Sequence, residues 1–415
     1  MGSIRTSLSS ILLVAIGLAA CQRKPSDGRL EAAAANGSVV GAESGVAAFI
    51  DLPAVVRDVV RVPAHRRLRV LEDAVIGVGG RLELGPGVTV AVATGKGLYV
   101  KGGELFARGT AKERIVFTSL AANPQPGDWC GVVFDWDELL KQSGAKAWPA
   151  STLEHVAIEF AGRPWEGVGW DQKAGGLSIL GYSGVQKYGS PASLVLSDIE
   201  FRNNARRGMD VRTDAPLSWK DIKFGPNGGV SALIDINRVN HLGGAPTESV
   251  ELFGIVRRTM ELPPTSTAYV VVDSLRVGSL DWDTPAVLTI PPGTTLKFKA
   301  EQGLAVGDHY PGRLVARGVT FTSAEAEPKA GDWGGIRFGE LGSADLDGDT
   351  FEYAGARPRY VLVWSRRSAP HVDIQRSTFR KNAAPALWDP FSCARWKKDA
   401  RGNVSEGQPL CNPKK

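Results

Sequence analysis

Short apolar runs of three to five residues, bounded by Gly, Asn or Asp, recur along the middle of the chain. They include IVFT at 115–118, GVVF at 131–134, LSIL at 177–180, LVL at 194–196, DIKF at 221–224 and ALIDI at 232–236. Such runs are too short for helices and fit buried strands between tight turns. Their spacing is regular. Leu196, Ile199 and Phe201 return 23 residues later as Trp219, Ile222 and Phe224. Leu153, Val156 and Ile158 precede the first set by 43. A strand pattern that restarts at one period predicts a parallel β-solenoid, in which each coil lays its apolar residues over those of the coil below, about 4.8 Å away. Asn204 and Asn382 follow a strand and are expected at turns that tolerate left-handed backbone, their amides forming ladders between coils. An antiparallel sandwich is the alternative, but it has no reason to repeat in register every 23 residues.

A longer repeat overlies this one. LELGPGVTV at 82–90 returns as LTIPPGTTL at 288–296, and GELFARG at 103–109 as GRLVARG at 312–318. FTS at 117–119 returns at 321–323, PGDWCG at 126–131 as AGDWGG at 330–335, and FRNNA at 201–205 as FRKNA at 379–383. Five matches in one order indicate two related modules, expected at 51–262 and 263–390, with a tail at 391–415. The fold class expected is all-β, a parallel β-helix in two modules.

Composition sharpens this picture modestly. Gly and Pro together make 74 of 415 residues, against an average of about 12%, an excess too small for collagen or a disordered chain. Its places are the Gly-Pro-Gly and Pro-Pro-Gly bends, the ARG corners and the GDW turns. The net charge of +5 is spread over interspersed signs. Runs such as His65-Arg66-Arg67 and Lys397-Lys398 are short, which speaks for a solvated surface and against nucleic acid as a partner.

The N-terminus carries an address. Arg5 precedes an apolar run at 11–20 that is about half the length of a bilayer span. The Leu18-Ala19-Ala20-Cys21 stretch then resembles a bacterial lipobox. That resemblance implies a signal peptide at 1–20, cleavage before Cys21, and lipid on its sulfur and its new amine. Such chains would anchor the protein stably to a membrane. Gln22 after the anchor, by resemblance to Gram-negative sorting, implies the outer membrane. Residues 21–50 are small and polar and read as a tether. In an exported protein Cys393 and Cys411, 18 positions apart, are expected to form a disulfide worth about 3 kcal/mol. Cys130 is left as a small buried residue.

At LELGPGVTV and LTIPPGTTL, GELFARGT and GRLVARG, PGDWCGVVF and AGDWGGIRF, and STLEHVAIEFAG and GDTFEYAG, the chain resembles a bacterial family of right-handed parallel β-helix repeat lipoproteins, built on a pectate-lyase-like solenoid. The similarity covers roughly residues 64 to 390. Cys130 departs from the pattern by standing where the second copy has Gly334. The second copy is also shortened between Gly318 and Phe321. The resemblance implies fold far more than activity.

Candidate chemistry lies in two places. The 23-residue period sets Asp198 over Asp221, both outward, each before an inward Ile. Two carboxylates about 5 Å apart raise one pKa or invite a cation such as calcium, and would suit acid/base work on a polysaccharide. His155 falls in the same column by the 43-residue offset. Against a catalytic role, Glu200 and Lys223 form a compensating pair beside the column, and Arg376 holds the matching place in the second copy. The second place is a pair of insertions in the first module, at 136–149 and 163–173. They contain Trp136, Trp148, Trp165, Trp170 and Asp171, a set suited to stacking on sugar rings or meeting an envelope protein. The alternative is that these tryptophans pack on the solenoid wall. The Asp128-Trp129 and Asp332-Trp333 pairs occupy one station in both copies and are read as architecture. With no zinc spacing, nucleophile elbow, P-loop or HExxH motif, and only five histidines, the reading is a binding or scaffold protein. A polysaccharide lyase or hydrolase is the alternative, and a purely structural envelope component is the second.

Overall fold

The computed structural model describes residues 48–135, 149–163, 175–181, 193–213, 217–242, 248–356, 361–364, 371–388 and 401–411. The expected signal peptide at 1–20, Cys21, nearly all of the expected tether, Trp136, Trp148, Trp165, Trp170, Asp171 and Cys393 lie outside these residues.

The described chain is an all-β solenoid in which every strand pairing is parallel. A 14-stranded sheet runs its whole length, from Val55–Val56 to Val404–Ser405. The expected registers are met. Leu196, Ile199 and Phe201 pair with Trp219, Ile222 and Phe224, and Leu153, Val156 and Ile158 with Leu196, Ile199 and Phe201. The 43-residue step is therefore a single enlarged coil. Inward residues form one continuous core from Leu52 to Cys411. Its stacking is visible in Phe321, Phe351 and Phe379, whose ring centroids follow at 4.9 and 4.8 Å. Glycine is required where coils touch most closely. A Cβ on Gly103 would lie 2.5 Å from the Gly77 carbonyl oxygen, and one on Gly312 2.2 Å from that of Val277.

Three stations make a coil. In the first half, the first two lie on a ten-stranded sheet with two arms. These arms merge at Ala150–Glu159, which pairs with Glu104–Arg108 early and with Ile115–Ser119 later. The third station lies on the 14-stranded sheet, as in Leu98–Val100 and Val132–Asp135. In the second half the matching stations are Ala286–Ile290, Thr295–Phe298 and Gly303–Val306. There the second station continues the 14-stranded sheet, the third forms a six-stranded sheet, and the first a five-stranded one.

The offset arises at one point. Val230–Asp235 and Ser249–Phe253 are consecutive strands that pair with each other. Between them lies the 3-10 helix Ile236–His241, capped by Asp235, whose side chain accepts from the Asn237 N–H. This coil closes early and advances the repeat by one face. Equivalent motifs of the two halves therefore project from different edges, although the sheet and the core cross residues 262 and 263 without interruption. The six-stranded sheet carries on the line of the first arm. His241 packs on Trp219 of that arm, and Asn237 Nδ2 donates to the Ile255 carbonyl at the start of the six-stranded sheet.

Candidate functional site

The long strands Ala150–Glu159, Ser193–Arg202 and Leu217–Phe224 bend between the two arms. Each bend is a residue in left-handed backbone: His155 (φ 50°), Asp198 (φ 51°) and Asp221 (φ 55°). Asp and His tolerate this conformation better than branched residues. The column expected from the sequence is therefore real, and its members are corners. At the corner that follows, the left-handed residues are Phe160 and Asn203 in the first half and, at the equivalent station of the second, Tyr353 and Lys381; Asn203 and Lys381 stand one before the expected Asn204 and Asn382. That twist turns the next side chain inward. Asn204 Nδ2 donates to Asn227 Oδ1 at 2.9 Å and to the Ile158 carbonyl. Asn382 binds the Ala354 N–H and the Phe351 carbonyl.

Asp198 and Asp221 do not act as a carboxylate pair. Asp198 Oδ2 accepts from Arg114 at 2.6 Å and lies 2.7 Å from His155 Nδ1, while Oδ1 accepts from Lys223 Nζ at 2.7 Å. Arg114 also donates to the Val156 and Asp198 carbonyls. Partial burial pushes the Asp198 carboxyl up, but the hydrogen bonds from Lys223 and His155 and the charge of Arg114 outweigh it and bring its pKa down to about 2. The raised value expected for stacked carboxylates is thus reversed at Asp198. Asp221 is half exposed and lies 3.9 Å from Lys220. Lys223 turns to Asp198 instead of pairing with Glu200, which meets Arg202.

Arg114, His155, Asp198 and Lys223 come from four successive coils, so the group ties coils together. It can also do chemistry. A proton on His155 Nδ1 facing Asp198 leaves Nε2 as the basic atom, with two cations close to receive an anionic group. Arg114 was not foreseen, because only the coil stacking brings it under a residue 84 positions away. Among the described residues no three His, Cys, Asp or Glu side chains gather in a metal-holding group.

The GDW turns are architectural at atomic level. Asp128 Oδ2 accepts from Ser119 Oγ (2.7 Å) and Gln125 N (2.9 Å), and Asp332 Oδ2 from Ser323 Oγ (2.7 Å) and Lys329 N (2.8 Å). Trp129 and Trp333 are fully buried and donate to the Glu159 and Glu352 carbonyls. An outward ladder is duplicated as well: Thr118–Glu159–Arg202 in one half and Thr322–Glu352–Arg380 in the other. Cys130 is a buried thiol, its Sγ 3.6 Å from the Gly95 carbonyl oxygen. Cys411 is disulfide-bonded and buried, and its expected partner Cys393 lies outside the described residues.

No protein-family model, curated protein or solved structure matches this chain.

Proposed function

We propose that the chain is a lipid-anchored parallel β-helix of the bacterial outer membrane, akin to the right-handed β-helix repeat lipoproteins, that acts as a binding scaffold for a glycan or an envelope partner. In this reading Cys21 carries the lipid, the tether lifts the solenoid off the membrane, and rigid coils present an unchanging lateral surface. The observation that carries it is the state of Asp198. The carboxylate best placed for catalysis is already neutralised by Arg114, His155 and Lys223, which links four coils. Rigidity along the axis is what a scaffold requires.

One observation favours a second reading. The His155–Asp198 hydrogen bond is the geometry of an oriented imidazole base, and Arg114 and Lys223 would suit a uronate carboxylate. In that case the chain is a polysaccharide lyase or hydrolase. Two measurements decide. Labelled palmitate must enter the full chain and fail to enter Cys21→Ser. Purified full chain in detergent must leave polygalacturonate and other acidic polysaccharides uncleaved. Turnover that is lost in both His155→Gln and Asp198→Asn would replace the scaffold reading with the enzymatic one.

A further inference from the structure

The edge between the six- and five-stranded sheets continues the edge along which His155, Asp198 and Asp221 bend. It bears a surface the sequence did not single out. Large apolar side chains are seldom exposed among the described residues, yet Leu280, Trp282, Tyr310 and Leu341 are all exposed on this edge, on three consecutive coils. Trp282 is 64% exposed. Its ring centroid lies 5.7 Å from that of Tyr310, the two planes tilted by 60°. An indole left in water is unfavourable unless something covers it.

The two loops are fixed to each other before any ligand arrives. Ser279 N and Ala286 N both donate to the Pro311 carbonyl, joining the Trp282 loop to the Tyr310 loop. Within the first loop, Asp281 N donates to Ser279 Oγ and Asp283 N to Asp281 Oδ1. Asp281 and Asp283 flank Trp282 in the chain and are exposed. They are acceptors for hydroxyl groups and repel an anion.

We propose that Trp282 and Tyr310 form a stacking platform for a neutral hexopyranose, with Asp281 and Asp283 accepting hydrogen bonds from its hydroxyls. An aromatic pair with carboxylate acceptors on preordered loops matches a ligand that has one apolar face and a rim of hydroxyls. An anionic lipid surface or an acidic sugar would meet two carboxylates at the same point. This inference rests on the binding reading above and names a ligand class for it.

The test uses the purified full chain in detergent. Its retardation in native gels and its binding by calorimetry are measured with dextran, laminarin and galactomannan, and with polygalacturonate as the anionic control. At least one neutral polysaccharide is expected to bind. Trp282→Ala should weaken that binding at least tenfold, Trp282→Phe about threefold or less, and Asp281→Asn by an intermediate factor. Melting temperatures within 2 °C of the parent would exclude misfolding at this exposed site. Binding unchanged by Trp282→Ala overturns the platform, as does the absence of binding to all three neutral polymers. If only polygalacturonate binds, and Lys223→Ala abolishes it, the platform fails while the scaffold reading stands. If no polysaccharide and no defined envelope protein binds the folded chain, both fail.

Discussion

Nδ1 of His155 lies 2.7 Å from Oδ2 of Asp198, 43 positions further along the chain and one coil further along the solenoid. That contact completes a group in which one carboxylate serves three cationic or polar partners. Its energetics follow from the depressed Asp198 pKa. A carboxyl whose folded pKa lies below its unfolded value contributes stability above the unfolded value and loses it as pH falls through the folded one. Asp198→Asn should therefore cost about 1–2 kcal/mol at pH 5, a difference that closes as pH falls from about 4 to about 2. Urea unfolding of both proteins across that range measures it, and a constant difference would contradict the linkage.

Asp349 should show the opposite slope. It is buried at an inner corner, where Oδ1 accepts from Val319 N at 2.9 Å and Oδ2 has no hydrogen-bond partner among the described residues. Burial pushes its carboxyl up to about 7 against the lowering effect of the backbone N–H groups of Val319 and Asp347. For a raised carboxyl, stability is fully present below the unfolded pKa and is lost as pH rises towards the folded one. Two coils on, Asn403 fills the same column with an amide that binds Ser377 N and the Ile374 carbonyl. Asp349→Asn is thus expected to raise stability by about 1–3 kcal/mol at pH 8 and to change little at pH 4. Thermal melts at the two pH values check it.

The GDW tryptophans should behave alike if they are architecture. Trp333 stacks on Phe298 with centroids 4.3 Å apart and donates to the Glu352 carbonyl at 2.7 Å. Its replacement by Ala is expected to cost about 3–5 kcal/mol. Phe at either position leaves one buried carbonyl without that donor and costs about 1–3 kcal/mol. Denaturation of Trp129→Phe and Trp333→Phe should give similar losses, with ligand binding unchanged in the folded fraction.

Arg207 is fully buried and paired with Asp210 and Glu251, with Arg212 completing the group. Removing its charge takes the cation from buried Glu251, while Asp210 keeps Arg212. Arg207→Met should lose about 3–5 kcal/mol. Combined with Asp210→Asn and Glu251→Gln, the loss should shrink. A triple variant as unstable as the single one would show that packing, and not charge, sets the cost.

How much the sequence determined can be read from individual positions. The 23- and 43-residue offsets announced the pairing of Ile158, Phe201 and Phe224, because a solenoid stacks like on like and leaves its period in the chain. The twofold use of Asp128 and Asp332 announced a turn, because one backbone need recurs wherever the coil turns in that way. Beyond His155, the partners of Asp198 were not legible in this manner. Arg114 and Lys223 reach it from other coils, and side chains of that length choose partners by position in space. Hidden too was the exposed pair Trp282 and Tyr310, since nothing in their local sequence distinguishes a covered ring from an open one.

The sequence by itself determined the solenoid, its stations and its repeats, because period and turn chemistry are local properties that every coil must satisfy. The tertiary structure alone decided how the two sets of stations face each other. The early closure around Ile236–His241 shifts the repeat by one face. Arg376 thereby lies on a different edge from Asp198, although both occupy the same place in the repeat and both have left-handed backbone. A single shortened coil adds a rotation that no comparison of motifs contains, and that rotation sets Trp282 and Tyr310 in line with the bend of His155 and Asp198.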